Sequence, residues 1–275
     1  MSASSRSSQA VAFARLGRWP NALIAGAGVI VGAWWAGEGI IEWSGVTLAA
    51  LGAFSLAFAA YAWNDAADVD IDRVAHPKRP IPQGLITVQS AGRFAAVASV
   101  VGVVLSMLAR LELGALALVA AAAMRIYSPS LKRRGLPGNV AVAFLASLPF
   151  LWGAWAVDAP QTGLLLVLIA APLHFAREIA KDLDDAAADA GWRRTLPLSA
   201  GYTAARATML LALLTFVGML VPLASTTPLF AVAAVPAILL AAFAAVRSWR
   251  GSRGGPLLFK AAMLSAMAAL LVSRA

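Results

Sequence analysis

Long apolar runs, almost free of charge, leave this chain few choices of fold. They lie near residues 22–35, 46–63, 91–108, 113–126, 139–157, 162–175, 204–220, 228–245 and 256–272, with short polar segments between them. Hydrophobic residues make up 61% of the chain and charged ones 13%, and the mean hydropathy is +0.79. A bilayer is the natural solvent for such a pattern, since a membrane helix needs roughly 17–25 predominantly apolar residues. Several runs sit near the lower limit, so their ends are loosely defined. The expectation is an all-α integral membrane protein with nine transmembrane helices, a single domain over residues 1–275 whose Ser-rich residues 1–14 form a flexible tail. The first apolar run lacks a small-residue cleavage site and reads as a span, not as a signal peptide.

The positive charges test that count. With the N-terminus inside, only Arg110 and Arg274 of the 22 Lys and Arg residues fall on outer segments, which is the bias expected of cytoplasmic loops. The N-terminus and the polar loops around residues 64–84, 127–135 and 177–197 then face the cytoplasm, in a multi-pass protein of the cell membrane. The net charge of +9 is read as a topology signal, with some attraction to the headgroups of anionic membrane lipids. No basic helix or aromatic–basic surface pattern points to nucleic acid. The absence of cysteine excludes a disulfide scaffold, a thiolate metal site and a cysteine nucleophile.

The polar segments hold one pattern twice. In Asn64-Asp65-Ala66-Ala67-Asp68-Val69-Asp70-Ile71-Asp72, read as helix, Asp65, Asp68 and Asp72 lie at i, i+3 and i+7 on one face, while Asp70 points elsewhere. In Arg177-Glu178-Ile179-Ala180-Lys181-Asp182-Leu183-Asp184-Asp185-Ala186-Ala187-Ala188-Asp189 the same spacing recurs at Asp182, Asp185 and Asp189, with Asp184 as the residue off the face. Basic residues and prolines follow each: Arg73, Lys78, Arg79 and Pro80, then Arg193, Arg194 and Pro197. Like charges in register repel, so such a comb is stabilised by a cation among its carboxylates.

Mg²⁺ takes oxygen ligands, typically one or two carboxylates per ion, and completes its shell with water and substrate phosphate. Six in-register carboxylates at helix ends, with Lys132, Arg79 and Lys181 on the same side, suit a polyphosphate held through such ions. Neutralising the phosphate oxygens makes a diphosphate a competent leaving group. The apolar spans would house a lipid attached to it.

In these residues the chain resembles the UbiA superfamily of intramembrane prenyltransferases, whose first motif is Asn-Asp-x-x-Asp-x-x-x-Asp and whose second is an Asp-x-x-x-Asp cluster. The likeness extends to Arg18 and Asn21, to Arg79-Pro80-Ile81-Pro82 with Gly84, to Tyr127-Ser128-Pro129 with Lys132, and to Gly138-Asn139. It implies a nine-helix bundle around a central lipid-open cavity. It also implies transfer of a polyprenyl group from an allylic diphosphate donor to a small lipid or aromatic acceptor, with two Mg²⁺ ions. Carried over by position, Asn64, Asp65, Asp68, Asp72, Asp182, Asp185 and Asp189 form the metal shell. Lys132, Arg79 and Lys181, with Arg73, contact the diphosphate, and Asn21 and Tyr127 sit near the reacting carbon. The segment from Arg177 to Pro197 looks most like the subgroup that makes digeranylgeranylglyceryl phosphate, although Ala188 stands where that subgroup usually has Gly.

An aromatic quinone precursor or a chlorin-type alcohol remain alternative acceptors. A phosphate-bearing acceptor calls for further cations, which Arg125, Arg193 and Arg194 supply. A reading from another class, an ion-coupled transporter, places its carboxylates near the bilayer midplane on broken helices, whereas these lie at helix ends among cations.

Overall fold

The computed structural model describes residues 3–39, 41–126 and 135–274, and within them every regular element is a helix. The first two are α1 (Ala3–Leu16) and α2 (Trp19–Ala36); the Ser-rich stretch expected as a flexible tail is thus helical from Ala3. Then come α3 (Trp43–Ala67), α4 (Val69–Ala75), α5 (Val88–Ala109), α6 (Leu111–Ile126), α7 (Leu136–Ala156) and α8 (Pro160–Asp189). The chain closes with α9 (Leu196–Ala200), α10 (Tyr202–Thr226), α11 (Pro228–Ala233), α12 (Val235–Trp249) and α13 (Gly255–Val272). Among the described residues, seven helical stretches are long and apolar enough to cross a membrane: α3, α5, α7, α8, α10, α13 and the run Pro228–Trp249 that α11 and α12 share. The two remaining runs of the sequence expectation, 22–35 and 113–126, are the helices α2, 18 residues long, and α6, 16 residues long.

The chain divides into two compact units, Met1–Val29 with Glu42–Ser130 and Ile30–Ile41 with Leu131–Ala275. In the first, α3 and α5 cross at small residues. A Cβ on Gly102 would come within 2.7 Å of Leu56 Cγ and 3.0 Å of the Gly52 carbonyl, and one on Gly52 would strike Ser106 Oγ. Close backbone approach of this kind is how helices gain packing energy where lipid offers no hydrophobic drive. The loop after α4 is anchored from below. Ile81 and Ile86 are buried with Ala12, Leu16, Ala62, Ala91 and Ala95, and Arg15 donates a hydrogen bond to the Lys78 carbonyl at 2.7 Å. Thr87 then caps α5, its hydroxyl accepting the Ser90 N–H at 3.1 Å.

In the second unit α8 is the long element, 30 residues with Pro160 in its first turn. At about 1.5 Å per residue it extends ~45 Å against a hydrocarbon core of ~30 Å, so its polar C-terminal turns project beyond the apolar layer. It packs on α7 where Gly163 meets Ala154 and Leu151, a Cβ there lying 2.7 Å from Ala154 Cβ. The Gly254 N–H, just ahead of α13, is accepted by Asp184 of α8 at 3.0 Å.

Candidate active site

The first acidic cluster sits where α3 hands over to α4. Asp68 belongs to neither helix, with φ −99° and ψ 11°, yet its N–H donates to the Asn64 carbonyl at 3.0 Å and its own carbonyl accepts from Asp72 at 2.8 Å. The helical ladder therefore runs through the break and the register survives it. Asp65 and Asp72 are each 2% exposed and Asp68 is buried beside them, while the Asp70 side chain is 70% exposed and pairs with Arg73 at 3.0 Å. The i, i+3, i+7 face is thus turned inward, as the spacing implies.

What holds these buried carboxylates comes from outside the comb. One nitrogen of Arg79 lies 3.3 Å from Asp65 and 2.5 Å from Asp72, and Arg18 donates to Asp65 at 2.7 Å. The Arg18 guanidinium also lies 5.0 Å over the Tyr61 ring, one helical turn before Asp65. Burial is the chief influence on Asp72 and raises its carboxyl above the usual 3.8; Arg79 opposes this, and Asp65 and Asp68 add to it. Arg79, expected to contact a diphosphate, here neutralises the comb. Arg73, expected beside it, is exposed and turned to Asp70. Asn21 and Asn64 are half-buried, at the start of α2 and near the end of α3.

The second cluster forms the last turns of α8. Asp182 and Asp189 are buried and Asp185 is half-buried. Asn139 of α7 donates to Asp182 at 2.7 Å, and Arg193 lies 3.4 Å from Asp189. One turn before Asp182, Glu178 is buried and accepts from Arg177 at 2.6 Å and from Lys181. Lys181, like Arg79, is therefore paired with a carboxylate. Glu178, Asn139 and Arg18 are absent from the sequence-derived set. Glu178 was legible, lying four residues before Asp182, whereas Asn139 and Arg18 find their partners 43 and 47 residues away. Tyr127 and Lys132 lie outside the described residues.

Among the described residues no three carboxylate or imidazole groups are gathered around a common point that could hold an ion. The chemistry of the donor set nevertheless fits a hard divalent cation. It is all oxygen, carboxylate apart from the Asn64 amide, and in the first cluster the guanidinium groups of Arg18 and Arg79 stand in for the positive charge that buried carboxylates require. Each cluster sets buried carboxylates beside cations, an arrangement suited to binding a divalent ion or a phosphate head.

Known proteins point the same way. The digeranylgeranylglyceryl phosphate synthase of Halobacterium salinarum is 34% identical over 271 residues, covering 94% of this chain and 95% of its own. A UbiA homolog from Aeropyrum pernix K1 superposes with a TM-score of 0.82 at 18% identity, over 92% of this chain and 98% of that one. A UbiA homolog from Archaeoglobus fulgidus bound to GPP and Mg²⁺ superposes with a TM-score of 0.63 at 18% identity, over 93% and 86%. The sequence model of the UbiA prenyltransferase family matches residues 25–266, which span both charged clusters, and the chain belongs to that family.

Proposed function

We propose that this prenyl-transferring membrane enzyme moves a geranylgeranyl group from its allylic diphosphate to geranylgeranylglyceryl phosphate, with Mg²⁺ as cofactor. The observation that carries the reading is the pair of acidic combs with buried carboxylates, in a chain 34% identical to a synthase of that product. The Mg²⁺ assignment draws support from the Archaeoglobus fulgidus homolog bound to GPP and Mg²⁺. Asn64, Asp65, Asp68 and Asp72, and Asp182, Asp185 and Asp189, are the proposed ligands, for two ions in all. When bound, Mg²⁺ neutralises the diphosphate oxygens and makes that group a competent leaving group.

The chain's own residues do the rest. The C1–O bond of the donor breaks and the diphosphate leaves with the electron pair; the acceptor hydroxyl oxygen bonds to C1 and passes its proton to the released diphosphate, forming an ether. Lys132, Arg79 and Lys181 hold the departing diphosphate, and Asn21 and Tyr127 line the reacting carbon. Asn139 fixes one Asp182 oxygen, so the carboxylate keeps a single orientation. Arg125 lies 4.6 Å over the Trp63 ring, next to Asn64, and is the cation offered to an acceptor phosphate. The fold reading completes the count at nine spans in one domain of the cell membrane, with the N-terminus and both combs cytoplasmic.

The test is turnover of purified protein in detergent, with labelled geranylgeranyl diphosphate against geranylgeranylglyceryl phosphate, an aromatic quinone precursor and a chlorin alcohol. The expected product is the glyceryl diether, formed with Mg²⁺ and lost reversibly on EDTA. Transfer to the aromatic or chlorin acceptor alone overturns the acceptor assignment, and full turnover in EDTA overturns the metal.

A further inference from the structure

Two arginines occupy the carboxylates assigned above to Mg²⁺, and neither belongs to the comb. Arg79 sits in the loop after α4, its N–H bonded to the His76 carbonyl at 3.0 Å and its carbonyl accepting from Gln83 at 3.0 Å. Its side chain is mostly buried and bridges Asp65 and Asp72. Arg18 reaches Asp65 from the turn ahead of α2 and is steadied by the Tyr61 ring. A carboxylate lone pair engaged by a guanidinium is not offered to a metal, so the two cations compete for the same oxygens. A guanidinium also recognises phosphate as readily as carboxylate, through the same fork of N–H donors.

We propose that Arg79 is the counter-cation Mg²⁺ displaces from Asp65 and Asp72, and that its freed guanidinium then takes the donor diphosphate. Arg18, on Asp65 alone, keeps that carboxylate aimed and competes more weakly. Metal entry and donor binding are thereby coupled through one side chain. Arg79 and Arg18 together offset the charge of the comb, and a bound metal would take over the share that Arg79 gives up. This inference rests on the Mg²⁺-dependent reading of the site.

The experiment measures Mg²⁺ affinity of the full chain in detergent by calorimetry, without donor, after EDTA treatment and dialysis. A charge-assisted pair removed from the competition should tighten binding in Arg79→Gln by about ten- to a hundredfold. With Mg²⁺ saturating, the same variant should bind geranylgeranyl diphosphate at least about tenfold more weakly, since the diphosphate loses its partner. Arg18→Gln should show a smaller gain for the metal and near wild-type affinity for the donor. Arg79→Lys keeps the charge without the fork and should fall between wild type and Arg79→Gln on both measures. A purely structural Arg79 would weaken both ligands together. Unchanged or weaker Mg²⁺ binding in folded Arg79→Gln overturns the proposal; if that variant does not fold, the same result in Arg79→Lys and Arg18→Gln does so. Failure of the wild-type protein to bind Mg²⁺ even with donor present would instead remove the metal reading itself.

Discussion

Asp68 and Asp70 stand two positions apart, and the helix turns one into the protein and the other to solvent. Asp68→Ala should therefore cost turnover at least about a hundredfold, since even groups behind a metal's ligands are worth ten- to a hundredfold. Asp70→Ala breaks only an exposed pair with Arg73 and should stay within about twofold, as surface pairs contribute little. Equal losses at the two positions, measured as kcat/KM in detergent, would refute the register. Asp72 adds a pH dependence. Between the ordinary 3.8 and its raised value, the folded protein holds a proton on Asp72 that the unfolded chain has lost. The contribution is complete below the ordinary 3.8 and disappears as pH rises through the folded value, so stability falls across that window. Thermal melts of EDTA-treated protein should show that decline, and Asp72→Asn should flatten it. At this scale the spacing of the aspartates was readable because helical period alone decides which share a face. Which residues pair with them was not, because Arg18 and Asn139 meet Asp65 and Asp182 through tertiary packing. Asp184 shows the same limit. It is off the comb face, as its spacing says, but its work of accepting the Gly254 N–H depends on a residue 70 positions away.

Helices inherit their positions from small residues whose partners a linear reading does not name. Gly52 and Gly102 look alike among 22 glycines, yet they meet across α3 and α5, and α3 carries the first comb at its end. Adding even a methyl at Gly102 pushes into Leu56 and the Gly52 carbonyl, and overpacking of this kind costs about 1–3 kcal/mol. Gly102→Ala should lower the melting temperature and weaken Mg²⁺ binding together, because α3 must shift to accommodate it. A methyl at Gly218 of α10 would meet nothing within 4 Å. Gly218→Ala should be neutral or stabilising, up to the ~1 kcal/mol that Ala gains over Gly in a helix. A melt showing the reverse order would mean the α3–α5 crossing is not a tight contact. Element boundaries were legible where apolar runs met charge or proline, as at Pro160 and the loop at residues 76–86. They were missed where the backbone changes within a run. The stretch 228–245 divides at Ala234, ahead of Pro236, and the sixth apolar run continues without interruption into the second comb as α8.

The number of membrane crossings belongs to the whole chain, and contacts within the first unit bear on it. Arg18, ahead of α2, pairs with Asp65 at the end of α3, and Gly26 lies against the Ala50 carbonyl, its Cβ position 3.3 Å away. The chain ahead of α2 thus meets the end of α3, and Gly26 within α2 meets the earlier Ala50, so the first part of α2 heads back toward the start of α3. Gly114 near the start of α6 lies against Met107 near the end of α5, and Arg125 near the end of α6 stacks on Trp63 near the end of α3. So α6 runs back alongside α5. Counting both gives nine crossings; discounting both as too short or too polar gives seven. The two counts agree on every loop after α6 and disagree on those between α2 and α6. With the N-terminus inside, nine crossings put the loop at residues 76–86 inside and the α5–α6 turn outside, and seven reverse both. The chain has no cysteine, so single-cysteine variants report without background. Glu112→Cys, at the exposed start of α6, should react with a membrane-impermeant maleimide added to intact cells. Lys78→Cys, in the exposed loop after the first comb, should react only once the membrane is opened. With the N-terminus inside, labelling of Lys78→Cys but not Glu112→Cys from outside would establish seven crossings and carry the first comb to the outer face.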